Sequence, residues 1–336
     1  MPVKKINFSK RIVDFHFDSS FNDLKKIVVP QQSIIITDEN IFAAHSKKFK
    51  GWDTIVLKSG EEYKVQATVD AVVDQLIQLN ADRQTTLIGI GGGMVTDITG
   101  YVASVFLRGL PFGFIPTSVL GMVDAAIGGK NGIDVGLYKN MVGTINQPHF
   151  LLYDVSFLKT LPVIEWRNGF AEIIKHACIK DEAMFKVLKE NSLKNFQKNK
   201  PLLQKLIQRN AFLKIKVVQG DEFEKGERKL LNFGHTLGHA LEKKYNLMHG
   251  EAVAIGMAMA AGLSEKIVSF KQTSRLLSLL EKYELPTSAD YSKKKIFEIL
   301  ISDKKRDGNS INFILLEKIG KAAIRKISFD QLYKLL

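Results

Sequence analysis

TTLIGIGGGMVTDITGYVASVF, residues 85–106, is the stretch that decides the predicted fold of this chain. Its first part is rich in β-branched and aliphatic residues and ends in Gly91, Gly92 and Gly93, which predicts a strand that stops in a glycine turn. The part from Met94 to Phe106 continues as a predicted helix. A strand, a glycine turn and a helix in this order are typical of a parallel α/β domain.

The segments on either side of this stretch extend the same alternation. Residues 5–17 predict a hairpin or two edge strands. Further strands are predicted from short β-rich runs at 33–40, 54–62, 112–118 and 150–158. One predicted helix collects six apolar residues on a single stripe: Val65, Val69, Val72, Val73, Leu76 and Ile77. The first half is therefore predicted as an α/β domain with a Rossmann-like parallel sheet.

Beyond about residue 160 the pattern becomes mostly helical. Segments with a period near 3.6 residues follow one another from residue 164 to residue 302, and strand-like runs return at 311–316 and 322–327. Because 336 residues are many for a single core, two domains are predicted. Their predicted bounds are 1–160 for the α/β domain and 161–336 for a mostly α-helical domain.

Composition narrows the class of protein. Hydrophobic residues make up 45% and charged residues 25%, the balance of an ordinary globular protein. No apolar run has the length of a membrane span, and the first residues lack the apolar core of a signal peptide. The single cysteine, Cys178, excludes an internal disulfide and favours a cytoplasmic location. Its apolar, helix-like surroundings predict buried packing rather than a nucleophile.

The net charge of +13 has two explanations. One is a nucleic-acid partner, and the other is a site for phosphate or carboxylate substrates on a lysine-rich protein. Lysines are dense in 180–216, but apolar residues recur there at helical spacing, which indicates solvated faces of packed helices. Zinc-finger spacing, aromatic RNA-binding motifs and repeats are absent from the sequence. We therefore expect a small-molecule anion as partner, with neither nucleic acid nor a membrane.

The glycine turn is a candidate phosphate cradle. Glycines let backbone N–H groups approach a pyrophosphate, and a helix N-terminus favours its negative charge. The spacing is GxGGG rather than GxGxxG. Glycines that only form the turn at the end of the strand are therefore an equally good explanation. Asp38 and Asn40 end an earlier predicted strand, where a ribose or adenine contact could lie.

Three histidines in Leu230–Glu251 form a candidate metal site. His235 and His239 are four residues apart and share one face of a predicted helix. His249 follows ten residues later, before a second apolar helix. Two helices joined by a short connection can bring three imidazoles to one metal. Capping or core histidines are the alternative explanation.

Charged and polar side chains also cluster between Asp97 and Lys175, several of them in glycine-bearing segments that we predict as loops. Glu172 lies in an apolar helical segment, where a carboxylate needs a partner. A metal shared with two histidines would supply that partner, and an ion pair with Lys175 is the alternative. The set comprises Asp97, Arg108, Asp124, Lys130, Lys139, Asn140, Glu172 and Lys175.

With these motifs in place, the chain resembles the 3-dehydroquinate synthase family, the metal- and NAD-dependent sugar-phosphate cyclases of the shikimate pathway. Several motifs in order and at fitting spacing carry the resemblance from about Thr37 to Gly320. They are GGGMVTDITGYVASVFLRG (91–109), PTSVLGMVDAAIGGKNGID (116–134), YKNMVGTINQP (138–148), LKTLP (158–162), NGFAEIIKH (168–176), GERKLLNFGHTLGHALE (226–242), MHGEAVAIGM (248–257) and DKKRDGNSINFILLEKIG (303–320).

The resemblance implies an NAD-binding first domain and a second domain that holds one divalent metal, zinc or cobalt. The implied metal ligands are Glu172, His235 and His249, while His239 would move protons. The implied NAD-binding residues are Asp38, Asn40, Glu61, Lys64, Gly92, Gly93, Asp97, Thr117, Ser118, Asp124, Lys130, Lys139, Thr160, Leu161 and Glu165. The substrate's phosphate and carboxylate would be held by Lys130, Asn140, Lys175, Lys214, Arg228, Asn232 and either Lys304 or Lys305, of which Lys304 is favoured.

The same resemblance implies the reaction. 3-Deoxy-D-arabino-heptulosonate 7-phosphate would be converted to 3-dehydroquinate and phosphate through transient oxidation by NAD, phosphate elimination, re-reduction and intramolecular aldol closure. Arg108 resembles an arginine that reaches the neighbouring subunit's site, which implies a homodimer. The chain departs from the family pattern at Thr96, Ala125, Ala126 and Asn131, where a glycine, hydroxyl-bearing residues and a threonine are usual. These changes affect cofactor contacts and leave the charged groups intact.

Three other functions compete with this one. A metal-dependent polyol or alcohol dehydrogenase shares the glycine turn and the paired histidines, but its usual Gly-Thr-Gly-Ser loop is missing where residues 120–126 read LGMVDAA. Another sugar-phosphate cyclase is the second, although Lys214, Arg228 and Asn232 favour a substrate that carries a carboxylate. A basic, non-enzymatic binding protein would leave the metal-ligand set unexplained.

Overall fold

The computed structural model describes residues 3–136, 138–245, 247–290, 292–302, 306–307 and 309–335. The chain forms two compact units. The first comprises Met1–Pro162 and Ile207–Phe223, and the second comprises Val163–Leu206 and Glu224–Leu336. The domain bounds expected from the sequence, 1–160 and 161–336, stay a prediction.

A seven-stranded sheet is the centre of the first unit, and its order along the sheet is β1-β2-β9-β6-β5-β3-β4. The pairs β2–β9, β9–β6, β6–β5, β5–β3 and β3–β4 are parallel, and only the β1–β2 hairpin is antiparallel. The predicted parallel α/β class is thereby confirmed. The strands are β1 (Val3–Asn7), β2 (Ile12–His16), β3 (Ser33–Asp38), β4 (Asp53–Leu57), β5 (Thr86–Gly91), β6 (Phe112–Pro116) and β9 (Phe150–Leu152).

Three helices follow strands of this sheet: α1 (Glu39–His45), α2 (Gln66–Gln78) and α3 (Gly93–Val105). Helix α2 buries Val69, Val72 and Leu76, as its stripe predicted. Ile77, which was placed on the same stripe, is 60% exposed. One residue advances a helix by about 100°, so Ile77 turns away from the face that Leu76 buries.

A second hairpin corrects the prediction that residues 122–134 and 136–143 form glycine-bearing loops. Strand β7 (Lys130–Val135) pairs antiparallel with β8 (Tyr138–Ile145). Gly132 and Gly143 lie opposite each other, and a Cβ on either would strike the backbone of the other strand. These glycines therefore permit close strand pairing, whereas in a sequence they read as loop residues.

Strand β9 is also shorter than the predicted 150–158. Asp154 accepts a hydrogen bond from the backbone N–H of Ser156, at 2.9 Å, and caps a 3₁₀ turn over Val155–Thr160. The side-chain oxygen offers the backbone a partner outside the sheet ladder, so the extended conformation ends there.

The second unit is mostly helical, as the sequence predicted, with a small antiparallel sheet of order β10-β11-β12. Its core includes Leu237, Leu241, Ile255, Phe313 and Leu315. Helix α7 (Lys200–Gly220) contributes residues to both units. The other elements are α4 (Val163–Lys180), α5 (Glu182–Glu190), α6 (Leu193–Lys198), α8 (His235–Tyr245), α9 (His249–Val268), α10 (Thr273–Lys282), α11 (Lys293–Ser302), β10 (Arg306–Asp307), β11 (Ser310–Lys318), β12 (Lys321–Ser328) and α12 (Phe329–Leu335).

Cys178 is fully buried in α4, and burial raises the pKa of its thiol, which agrees with the predicted packing role. None of the helices among the described residues combines the length and the apolar character that crossing a membrane requires.

Candidate active site

Three neighbouring strands of the first unit bring predicted cofactor residues to one edge of the sheet. Strand β3 ends at Asp38, β5 runs into Gly92, and β6 is followed by Thr117 and Ser118. Because these strands are parallel and adjacent, their carboxyl ends lie side by side. In open parallel sheets, ligands bind in the crevice outside these ends.

The glycine turn is packed as closely as a phosphate cradle requires. A Cβ at Gly91 would lie 2.5 Å from the side chain of Val95, so this glycine allows α3 to begin directly after the strand. Gly92 stands at the N-terminus of α3, and the nearest atom to a Cβ there would be Oγ of Ser118, at 3.5 Å. The space beside Gly92 is therefore bordered by a hydroxyl and a helix N-terminus, both suited to an anion.

Thr96 and Asn131, two departures from the family pattern, both form hydrogen bonds with their side-chain donors. Oγ1 of Thr96 donates to the carbonyl of Gly93, at 2.9 Å. The buried amide of Asn131 donates to the carbonyls of Gly129 and Asn146, at 2.9 and 3.0 Å. Neither side chain leaves an unpaired donor beside the glycine turn.

Lys64 is the centre of a charged group in the first unit. The side chain of Lys64 is 4% exposed. Its ammonium pairs with Glu61 and lies 3.4 Å from Asp97 and 3.7 Å from Asp134. Burial disfavours the charged form of Lys64, but Asp97 and Glu61 outweigh burial and raise its pKa. Burial raises the pKa of Asp97, and Glu61 adds to this against the pull of Lys64, so that the pKa is about 7.

The raised pKa of Asp97 has a measurable consequence. The carboxyl titrates near its ordinary value of 3.8 in the unfolded chain and near 7 in the folded protein. Between these values the folded state binds an extra proton, so wild-type stability falls as pH rises through this window. As the pH rises through this window, the melting temperature of Asp97→Asn should therefore rise relative to that of the wild type. The shift should be about 2–4 °C for each kcal/mol of free energy of unfolding. Differential scanning calorimetry without NAD measures this.

The matched control is Asp53→Asn, which changes an exposed acid on β4 of the same unit. Its melting temperature, measured over the same pH range, gives the effect of removing an exposed acid from this unit. A constant difference between Asp97→Asn and the wild type would contradict the raised pKa.

The other predicted cofactor residues are spread over several elements. Oγ1 of Thr160 lies 2.9 Å from Nε2 of His45, and Glu165 accepts a hydrogen bond from Asn168, at 3.2 Å. Asp38 caps α1 through the N–H of Ile41, at 3.0 Å, and burial raises its pKa. Leu161 is half-buried, whereas Asn40, Lys130 and Lys139 are exposed.

The second unit brings Glu172, His235 and His249 together. Oε1 of Glu172, on α4, lies 3.3 Å from Nε2 of His235 and 3.0 Å from Nε2 of His249. One ligand atom from each residue lies within 4.8 Å of the other two. Ligands at about 2.0–2.2 Å from a tetrahedral zinc ion are about 3.3–3.6 Å apart, so this donor set has the size of a metal site.

Close helix packing creates this arrangement. Gly234 adopts φ +78°, and a Cβ there would lie 2.6 Å from the side chain of Met257. A Cβ at Gly256 would strike the carbonyl of Gly234, and one at Gly238 would lie 2.8 Å from the carbonyl of Ala252. The glycines of NFGHTLGH and AIGM thus let α8 and α9 approach until the histidines at their first positions face Glu172.

The surroundings of both Nδ1 atoms favour metal binding through Nε2. Nδ1 of His235 lies 3.2 Å from the carbonyl of Phe233, and Nδ1 of His249 lies 3.8 Å from Oε2 of Glu242. A proton on each Nδ1 leaves Nε2 as the ligand atom. The carboxyl group of Glu242 is a contact that the sequence argument missed. Its position in HALE, three residues after His239, was the available signal.

Electrostatics in this cluster favours a bound cation. Burial alone would raise the pKa of Glu172, but Lys175 and His235 hold it well below its ordinary value. Burial and Lys175 lower the pKa of His235. Burial also opposes the charged form of His249, yet Glu172 and Glu242 prevail and raise its pKa to about 10. The carboxylates that favour a positive charge at His249 would favour a metal cation at the same place.

The two explanations for Glu172 turn out to be compatible. Its Oε2 pairs with Nζ of Lys175, while its Oε1 faces both imidazoles. The side chain of Glu172 is fully buried and that of Lys175 is 2% exposed. His239 is exposed, and its ring packs edge-on against His235 at 5.2 Å between centroids. A ring nitrogen of His239 also lies within 4.8 Å of ligand atoms of Glu242 and His249, so the exposed ring stands beside the cluster.

Among the predicted substrate residues, Lys214 and Asp124 pair in the first unit, with Nζ 2.5 Å from Oδ1 and 2.7 Å from the backbone carbonyl. In the second unit Arg228 is buried, and Asn232 donates to Glu224 at 2.6 Å. Asn140 is exposed and adopts φ +51°. Lys304, like Lys305, lies outside the described residues.

Arg108 occupies an unusual backbone conformation. Leu107 and Arg108 adopt φ +47° and +65°, in the left-handed region. For non-glycine residues this costs about 1–2 kcal/mol each. Arg108 is exposed and borders a cavity of about 520 Å³ together with Lys10, Arg11 and His149. Strain of this kind persists mainly where a side chain must be presented.

Comparisons with known proteins identify the family of this chain. A family model described as 3-dehydroquinate synthase N-terminal matches residues 54–168, and one described as 3-dehydroquinate synthase C-terminal matches residues 169–306. A 3-dehydroquinate synthase of Campylobacter curvus is 39% identical over 337 residues, and the alignment covers 96% of each chain.

Two solved structures share the fold at 26% identity. One is ValA (2-epi-5-epi-valiolone synthase) from Streptomyces hygroscopicus subsp. jinggangensis with NAD⁺ and Zn²⁺ bound, with a TM-score of 0.88 over 100% of this chain and 97% of that chain. The other is a 2-deoxy-scyllo-inosose synthase complexed with carbaglucose-6-phosphate, NAD⁺ and Co²⁺, with a TM-score of 0.85 over 99% of both. The family models and the curated relative confirm the resemblance seen in the motifs. The chain belongs to the 3-dehydroquinate synthase family.

Proposed function

We propose that this protein converts 3-deoxy-D-arabino-heptulosonate 7-phosphate into 3-dehydroquinate and phosphate, as a lyase of the shikimate pathway. The observation that carries the proposal is the buried cluster of Glu172, His235 and His249, in a chain that belongs to the 3-dehydroquinate synthase family. A single cysteine suits a reducing compartment, so the cytoplasm is its proposed location.

The metal would be held by Glu172 and by Nε2 of both His235 and His249. Three protein ligands leave one position for substrate oxygens. When bound, the ion supplies a Lewis acid for substrate hydroxyls. The two similar structures carry Zn²⁺ and Co²⁺, so either ion is a candidate here.

NAD would lie along the carboxyl edge of the first unit's sheet, where it supplies a reversible hydride acceptor. The glycine turn and Ser118 would receive the pyrophosphate, Asp38 would receive a ribose hydroxyl, and Lys64 and Asp97 would flank the nicotinamide half. The other proposed contacts are Asn40, Glu61, Thr117, Asp124, Lys130, Lys139, Thr160, Leu161 and Glu165.

The remaining residues act on the sugar phosphate. A substrate that carries both phosphate and carboxylate needs several cations with fixed geometry. His239, exposed beside the cluster, is placed to carry protons between the substrate and solvent. The proposed anion-binding set is Lys130, Asn140, Lys175, Lys214, Arg228, Asn232 and Lys304.

One assay separates this function from its rivals. Phosphate release is measured with the heptulosonate phosphate, after dialysis against a chelator and again after addition of Zn²⁺ or Co²⁺. We expect release only with both metal and NAD present. Turnover of a polyol with equal formation of NADH would favour a dehydrogenase, and preference for a phosphorylated sugar without a carboxylate would favour another cyclase.

We further propose a homodimer in which Arg108 reaches the partner's site. Strand β8, on the same unit as Arg108, exposes apolar side chains on both of its faces, Tyr138 and Val142 on one and Met141 and Ile145 on the other. Exposed apolar residues mark interaction surfaces, and an isologous dimer would bury those of each subunit. The strained backbone at Leu107 and Arg108 supports a side chain held for such a purpose.

Mixing two inactive variants tests this arrangement. Arg108→Ala should remove one site contact, and His239→Asn should remove another. If Arg108 acts in the partner's site, a heterodimer of the two variants has one intact site. An equal mixture, unfolded and refolded together, should regain about a quarter of wild-type activity. Analytical ultracentrifugation monitors dimer formation, and dimers without any regained activity would place Arg108 in its own subunit's site.

A further inference from the structure

Asp134 contacts both Lys64, a residue of the proposed NAD site, and the hairpin that carries Asn140, a proposed substrate contact. It lies on β7 and its side chain is 11% exposed. Oδ1 accepts a hydrogen bond from the backbone N–H of Asn140, at 2.7 Å, and lies 3.7 Å from Nζ of Lys64. The backbone N–H of Asp134 also donates to the carbonyl of Lys64, at 2.8 Å. Asp134 is not among the site residues predicted from the sequence.

On the hairpin side, Asp134 fixes the backbone of Asn140. Asn140 adopts φ +51°, a conformation that L-residues occupy at some cost, although asparagine tolerates it best. The β7–β8 register is irregular between Ile133 and Val135, beside Asp134. With regular pairing interrupted there, the carboxylate supplies the acceptor for the Asn140 N–H.

On the opposite side, Asp134 completes the surroundings of Lys64. One buried ammonium contacts three carboxylates, from Glu61, Asp97 and Asp134. Glu61 and Asp97 belong to the proposed NAD site. Among the three, Asp134 also holds the hairpin that carries Asn140, a proposed substrate contact.

We propose that Asp134 is a positioning residue that ties Lys64 of the NAD site to Asn140 of the substrate site. This inference rests on the proposed function. The carboxylate of Asp134 holds both the backbone of Asn140 in the hairpin and the ammonium of Lys64. Binding of NAD and binding of the sugar phosphate then become energetically linked.

Two variants separate the two contacts. Asp134→Ala removes both, whereas Asp134→Asn keeps an acceptor oxygen for the Asn140 N–H and loses only the charge beside Lys64. We expect Asp134→Ala to raise KM for the heptulosonate phosphate and Kd for NAD about fivefold each, the typical effect of one lost hydrogen bond. Asp134→Asn should restore KM to near the wild-type value but leave Kd for NAD raised.

The measurements are steady-state kinetics, isothermal titration with NAD, and melting temperature, with Asp53→Asn as the control acid on the same unit. A role in stability alone would lower the melting temperature without moving KM or Kd, and that result would overturn the proposal. Equal KM values for both variants would overturn it too. If Asp134→Ala does not fold, an unchanged Kd for NAD in Asp134→Asn decides against it.

Failure of the proposed function remains distinguishable. A wild-type protein that binds NAD but releases no phosphate from the heptulosonate phosphate would refute the proposed reaction. The NAD titrations of both Asp134 variants would still read out the contact with Lys64, and wild-type Kd values in both would overturn the inference independently.

Discussion

Replacement of Glu172 by glutamine is expected to lower kcat/KM by a factor on the order of 10³ or more, because a Lewis-acid metal supplies several kcal/mol of transition-state stabilisation. Glutamine offers a neutral and weaker ligand at the point where both imidazoles converge. Metal content after dialysis, measured by atomic emission, should fall in parallel.

The buried ion pair complicates this variant, because Glu172→Gln leaves the ammonium of Lys175 without its carboxylate. An unpaired buried charge costs about 3–5 kcal/mol, enough to impair folding. The double variant Glu172→Gln with Lys175→Met removes both charges and should fold more stably than the single variant. It should still fail to retain metal. If the single variant keeps full activity and wild-type metal content, the ligand assignment is wrong.

Replacement of His239 by asparagine is expected to lower kcat by about 10²–10⁴-fold, the usual contribution of a positioned general acid or base. His239 packs against His235 and lies outside the proposed ligand set, so metal content should stay at the wild-type level. Rapid-quench measurement of phosphate release separates this chemical step from product release.

Added imidazole provides the control for this variant. Because His239 is exposed, a free imidazole can reach the same place and should restore part of the lost rate, with a pH dependence that follows its own titration. Loss of metal in His239→Asn would assign the residue to the ligand set. An unchanged kcat would remove it from the proton path.

Several elements could be predicted from local sequence because one face decides them. Helix α2 is one of them, since it buries Val69, Val72 and Leu76 on one face. Local patterns failed where long-range packing reverses a residue's usual meaning. Gly132 and Gly143 indicate loops by composition, but their missing side chains permit the β7–β8 pairing. Asp154 likewise ends β9 through a side-chain cap.

The metal-ligand cluster also depends on tertiary contacts that local sequence patterns do not reveal. The spacing of His235 and His239 predicts a shared helix face, but it cannot tell which imidazole turns toward Glu172, 63 residues before His235 in the chain. The family resemblance separated His239 from the ligand set, and this assignment stays a prediction, since the exposed ring stands beside the cluster. Glu242 and Asp134 escaped prediction because their partners, His249 and Asn140, meet them only through tertiary contacts.

In the proposed reaction NAD acts as a catalyst and is regenerated in each turnover. This catalytic role is tested by following phosphate and NADH together, with NAD at about one equivalent per site and a large excess of the heptulosonate phosphate. We expect many equivalents of phosphate and of 3-dehydroquinate for each NAD, with no build-up of NADH absorbance. Formation of NADH that stops after one equivalent, without release of phosphate, would contradict it.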